Sequence, residues 1–161
     1  MTVLYYEDLP IGQPSTFGSY RLERAEIISF AAKWDPQPFH VDDEAGARSI
    51  FGGLTACAAH LFAVSSWLNS QNPDPPALLA GLGGDGMRLA SPGRPGDLLH
   101  MELTYRAKRR SQSKPDRAVV DVLNRVLTDD GRLVQGGAIL VACREDLDER
   151  SEWPERPRAE S

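Results

Sequence analysis

The stretch from Leu54 to Leu68, LTACAAHLFAVSSWL, limits the fold more than any other part of the chain. Leu54, Cys57, Ala58, Leu61, Phe62, Val64, Ser65 and Leu68 recur at helical spacing, and no charged residue interrupts the run. A helix that is apolar around so much of its circumference has to be covered on more than one side. The C-terminal half supplies a candidate cover. Met101, Leu103, Tyr105 and Ala107 alternate with Glu102, Thr104, Arg106 and Lys108, the pattern of a half-buried strand. Two further aliphatic runs, 118–128 and 133–143, flank Asp129, Asp130 and Gly131 and predict an antiparallel hairpin. One-faced strands need something to lie on and the apolar helix needs a wrapping. Together they predict an α+β domain in which a curved sheet surrounds the helix at 54–68.

The remaining chain fits one domain of ordinary size, 161 residues with no internal repeat. Pro10, Gly12 and Pro14 end a short extended lead, and residues 16–20 read as a first strand. Ile27, Phe30, Ala31 and Trp34 form one apolar face of a helix that stops before Pro36. Residues 35–42 hold two prolines and are expected to be neither helix nor central strand, and a short helical piece is expected near 43–48. Gly52 and Gly53 permit a close turn, 69–76 is a loop by composition, and 78–89 suggests an irregular strand broken by glycines. The domain is expected to span 1–144, with a charged, flexible tail over 145–161.

Eighteen basic residues against 23 acidic ones leave a formal net charge of -5, which argues against a nucleic-acid binder that works by neutralising phosphates. Cys57 and Cys143 both sit among apolar neighbours, without metal-ligand spacing; a disulfide between them stays open. No secretory leader or 18-residue apolar span stands out, so membrane insertion is not expected and a reducing cytoplasm is the expected location.

Asp35 and His40 are the sharpest candidates for chemistry. An imidazole that titrates near neutrality and a carboxylate five residues away can share a water molecule, and Pro36 and Pro38 restrict the chain that holds them. The plainer alternative makes Asp35 a turn cap and His40 a packing residue. Asp42 and Asp43 read as helix-start residues, and His60 as a hydrogen-bonded core histidine. Backbone N–H groups around Gly52, Gly53 and the next helix start could face a developing oxyanion. Ser111 and Ser113 lie among Arg106, Lys108, Arg109, Arg110, Lys114 and Arg117, a basic stretch that could meet an anionic ligand or simply be solvated.

The segments FAAKWDPQPFHVDDEAGARSIFGG, LTACAAHLF and GLGGDGMRLASPGRPGD, in that order, resemble the MaoC-like hydratase/dehydratase family of hotdog-fold proteins over residues 16–144. The (R)-specific enoyl-CoA hydratase motif has an aspartate, an asparagine two positions on, a proline, and a histidine five positions after the aspartate. Asp35, Gln37, Pro38 and His40 stand there, with Gln37 in place of the asparagine and Trp34 where a glycine often precedes the aspartate. The resemblance implies that Asp35 and His40 are catalytic and that the backbone N–H of Ala58 polarises the thioester carbonyl. It implies substrate contacts at Gln37, Phe39, Phe51, Gly53 and Ser66. The substrate would be an acyl-CoA or acyl-carrier thioester, with coenzyme A only as part of the substrate and no metal. The assembly would be a homodimer or built from dimers. A hotdog-class acyl thioesterase and a non-catalytic acyl-binding subunit are the alternatives.

Overall fold

The computed structural model describes residues 2–83 and 88–142. Gly84, Gly86, Cys143 and the tail at 145–161 lie outside the described residues. Strand β1 (Pro14–Arg21) leads into helix α1 (Arg24–Trp34), followed by two short helices, α2 (Pro38–Val41) and α3 (Asp43–Arg48), and the long helix α4 (Ala58–Ser70). Strands β2 (Leu78–Ala80), β3 (Leu98–Arg110), β4 (Arg117–Thr128) and β5 (Leu133–Ala142) complete the domain. The five strands form one antiparallel sheet in the order β1-β3-β4-β5-β2. Its concave side wraps around α4, the α+β hotdog arrangement.

Alternation builds the contact between sheet and helix. Val120, Val122 and Val126 of β4 and Leu99, Met101, Leu103 and Tyr105 of β3 point inward. Leu61, Val64 and Leu68 of α4 meet Leu99, Met101 and Val126, with Leu22, Ile27, Leu54 and Val134 closing the cluster. At the far end, Leu9 and Ala77 join Leu103, Tyr105, Val120 and Val122 in a second cluster. Ala107, expected on the inner face, is exposed instead, because the β3–β4 register shifts between Tyr105 and Ala107 and breaks the alternation. The sheet also bulges in β1, where Gly18 has φ +66°. A Cβ there would come 3.1 Å from Leu68 Cδ2, so the bulge lets backbone approach the end of α4.

Three other expectations need correction. The central helix begins at Ala58, not Leu54, and runs to Ser70. The N–H of Thr55 donates to Phe39 O at 3.2 Å and that of Ala56 to Gly93 O at 2.9 Å. Those residues bond sideways to neighbouring segments, and Cys57 is still extended, with φ -73° and ψ 160°, so the helical turn starts only after it. The helix is not covered all round within one chain: Ala58, Ala59, Phe62, Ala63, Ser66 and Trp67 line an exposed flank, with Phe62 at 55% and Trp67 at 45% exposure. Residues 38–41, expected to be non-helical, form a helical turn because Pro38 sits at its start, where its missing N–H costs no bond. Among the described residues no helix is long and apolar enough to cross a membrane.

Candidate active site

The site starts where α1 ends. Asp35 caps that helix through its N–H to Ala31 O, Gln37 N–H turns back to Asp35 O at 2.8 Å, and His40 N–H donates to Gln37 O at 2.9 Å. This tight path sets the two side chains next to each other, His40 Nε2 3.7 Å from Asp35 Oδ2. His40 is buried, whereas the Asp35 side chain is 36% exposed, so the pair faces an opening.

The other imidazole nitrogen is committed. His40 Nδ1 lies 2.6 Å from the carbonyl oxygen of Thr55, which can only accept, so Nδ1 carries the proton. In the neutral ring, Nε2 is then a lone-pair acceptor turned toward Asp35. A separation of 3.7 Å is too long for a direct hydrogen bond, but one water about 2.8 Å from each acceptor spans it. Such a water donates one hydrogen to Oδ2 and the other to Nε2, which leaves its oxygen lone pairs for an electrophile.

Phe39 stands edge-on to the His40 ring at 4.5 Å and meets Phe51 at 5.0 Å, forming an aromatic wall behind the imidazole. Gln37 is exposed just before α2. Trp34 is 63% exposed, with Lys33 Nζ 4.8 Å from its ring. Ser66 lies eight residues along α4 from Ala58, about 12 Å away at the helical rise.

Ala58 opens α4, and Cys57 before it supplies no side-chain cap. The N–H of Ala58 therefore has no acceptor one turn earlier, and it stands at the positive end of a 13-residue helix. The neighbouring glycines do not share this property. Gly52 N–H donates to Ser49 O at 3.0 Å and Gly53 N–H to Gly46 O at 2.9 Å, so neither is available to an oxyanion.

Two supports were not visible in the sequence. Arg94 donates from Nη1 to the carbonyls of Gly53 (2.8 Å) and Leu54 (3.1 Å) and from Nη2 to that of Phe51. Its own N–H donates to Asp97 Oδ2 at 2.7 Å, an oxygen that also takes Arg132 Nη2 at 2.5 Å. The segment that presents the Thr55 carbonyl is thus tied to the start of β3. Gly46 is the second support: a Cβ there would fall 2.6 Å from Leu54 N and 2.8 Å from Gly53 C, so α3 can meet this segment only through a glycine. An arginine between two Pro-Gly turn signals, Pro92-Gly93 and Pro95-Gly96, was the one available hint.

Asp42 does start a helix, accepting from Ala45 N–H at 2.7 Å, while Asp43 pairs with Arg24 outside the site. The basic stretch is largely spent on the protein itself. Arg106 pairs with Asp121, Arg110 with Glu7 and Arg117 with Asp116, and Lys108 donates to the carbonyls of Tyr6 and Glu7. His60 departs from expectation: it is buried, yet neither ring nitrogen has a hydrogen-bond partner. Among the described residues no cluster of three or more His, Cys, Asp or Glu could hold a metal ion.

Comparison with known proteins converges on one group. The family profile for the MaoC-like domain matches residues 8–126. The crystal structure of a MaoC-like dehydratase from Rhodospirillum rubrum is 37% identical, covers 88% of this chain and 98% of its own, and superposes with a TM-score of 0.79. The R-hydratase PhaJ1 from Pseudomonas aeruginosa is 26% identical over 96% of both chains, with a TM-score of 0.65. An uncharacterized Bacillus subtilis protein, YdeM, is 32% identical over 59 residues, 37% of this chain and 42% of that protein. The match to YdeM thus spans less than half of its length.

Proposed function

The chain belongs to the family of MaoC-like domains, and from that premise we propose that it adds water reversibly to an enoyl thioester, converting enoyl-CoA to (R)-3-hydroxyacyl-CoA. Hydratase/dehydratase chemistry is the reaction class that the family and the R-hydratase neighbour support. The observation that carries the finer reading is the pairing of two acceptors, Asp35 Oδ2 and His40 Nε2, across a gap that one water fills.

In this reading the water oxygen, held by hydrogen bonds to Asp35 and His40, attacks the β carbon; one of its protons passes through the pair to the α carbon and the other stays on the new hydroxyl group. The thioester oxygen gains negative charge as the double bond is consumed. The uncommitted N–H of Ala58 stabilises that charge, an interaction stronger in the transition state than in the bound substrate. Dehydration of a 3-hydroxyacyl thioester runs the same steps backwards. The exposed Phe62 of α4 and the exposed Leu78 and Leu79 of edge strand β2 are assigned to a second copy of the chain. A homodimer would remove both from water.

A panel of enoyl thioesters varied in length, branching and carrier tests the proposal, read by loss of enoyl absorbance and by product stereochemistry. Asp35→Asn and His40→Ala should each abolish turnover on the best substrate while thermal unfolding changes little. Unchanged rates in both variants reject the assigned site, and thiol release without hydration identifies a thioesterase instead.

A further inference from the structure

A cavity lies between α1, α4 and β1, and neither Asp35 nor His40 lines it. It has a volume of about 220 Å³. Three aromatic side chains form most of its wall: Tyr20 from β1, Phe30 from α1 and Trp67 from α4. Trp67 meets Tyr20 edge-on at 5.2 Å, and Phe30 stacks on His60 at 4.6 Å with the rings 10° apart. Into this aromatic enclosure project one carboxylate, Glu26, and one imidazole, His60.

The polar groups are only partly used. Tyr20 donates its hydroxyl to Glu26 at 2.5 Å. His60 Nε2 stands 3.5 Å from Glu26 Oε1, and neither imidazole nitrogen has a hydrogen-bond partner although His60 is 1% exposed. An unpartnered polar group at that depth is costly, and in native proteins it usually has a bound water, ion or ligand to meet it. Burial pushes the His60 pKa down, against the opposing pull of Glu26. Among the described residues no lysine or arginine lines the cavity, and Glu26 is the one formal charge in its lining.

We propose that this cavity is a second binding site, for a small organic cation whose ammonium group meets Glu26 while its apolar part lies against Phe30, Tyr20 and Trp67. The chemistry follows from the lining. Ring faces carry negative potential and attract an ammonium group, and a carboxylate inside an aromatic enclosure adds a charge-assisted acceptor. The same carboxylate repels anions, so the cavity does not suit the anionic end of an acyl-CoA. A cavity of this volume admits a ligand with a single ring.

Benzylammonium, benzyl alcohol and benzoate share one ring and differ in charge, which makes them a direct probe set. Each is titrated into the intact protein in its native assembly, and binding is followed by NMR at the Trp67 indole N–H and the Ala63 amide. Benzylammonium should shift both signals saturably and bind at least about tenfold more tightly than the other two. Glu26→Gln keeps an acceptor for Tyr20 and should weaken benzylammonium by about ten- to a hundredfold while leaving benzyl alcohol unchanged. Trp67→Leu, on the exposed flank, should likewise penalise the cation more than the alcohol and serves if Glu26→Gln does not fold. Asp35→Asn should bind benzylammonium as the parent protein does, which separates this site from the Asp35–His40 site. Equal affinity for the three probes, loss of none of the cation preference in the folded variants, or no saturable shift at Trp67 overturns the proposal. The last result counts equally if a partner subunit closes the mouth of the cavity.

Discussion

Ala58→Pro removes a single N–H from the proposed oxyanion position and leaves nearly everything else in place. Proline in a helix interior costs about 3 kcal/mol, since it deletes a hydrogen bond and its ring collides with the preceding turn. Neither penalty applies at the first residue of α4, where the N–H has no intrahelical acceptor. Proline also restricts the residue before it to extended backbone, and Cys57 is already there with φ -73° and ψ 160°. The expected loss of stability is below about 1 kcal/mol. Activity should suffer far more, because removal of one oxyanion donor costs about 2.7–4 kcal/mol of transition-state stabilisation, or about 100- to 1000-fold in kcat. Hydration of the preferred enoyl thioester, measured beside a urea unfolding curve, gives both quantities. A folded Ala58→Pro variant with parental kcat would refute the assignment of this N–H, and with it the proposed polarisation of the thioester.

Gly46→Ala sets two effects against each other. Helix propensity favours alanine by about 1 kcal/mol, but its Cβ would sit within 3.0 Å of three backbone atoms, Leu54 N, Gly53 C and Leu54 Cα, so overpacking at about 1–3 kcal/mol prevails. Moving that segment shifts the Thr55 carbonyl against His40; a lower melting temperature together with a rate loss of up to about 100-fold is expected from calorimetry and the hydration assay. Arg94→Met strips three carbonyls of their donor and should cost about 2–3 kcal/mol in urea unfolding, with kcat falling alongside. For pH, burial holds native His60 below its ordinary value of 6.5, with Glu26 and Tyr20 close by, whereas the unfolded chain takes up the proton near 6.5. The unfolded state therefore binds more protons as pH falls through that value, and stability declines on acidification. Urea midpoints at about pH 7.5 and about pH 5.5 should differ more for the parent protein than for His60→Gln.

Local pattern was enough for most elements. The alternation that predicted β3 survives as its burial as far as Tyr105, because a strand over a core must place every second side chain inside. The spacing of Ile27, Phe30, Ala31 and Trp34 became α1, and the Asp-to-His interval became a real pair because a helix end followed at once by a proline-started turn leaves little room for other paths. The start of α4 was misplaced by four residues for a reason that no local window contains. The N–H groups of Thr55 and Ala56 bond to Phe39 and Gly93, which are close only in the folded chain.

Residue types and their spacing along the chain therefore determined the α+β class, the apolar helix inside a sheet, and the closeness of Asp35 and His40. Folding in three dimensions decided how those groups are tuned: the Thr55 carbonyl that assigns the His40 proton, the Arg94 guanidinium that holds three distant carbonyls, and the meeting of His60 with Glu26 and Tyr20. Periodicity is a property of neighbours, so it can be read in order. Hydrogen bonds between residues 15 to 43 positions apart depend on where the whole sheet carries each segment, and that is settled only when the core closes.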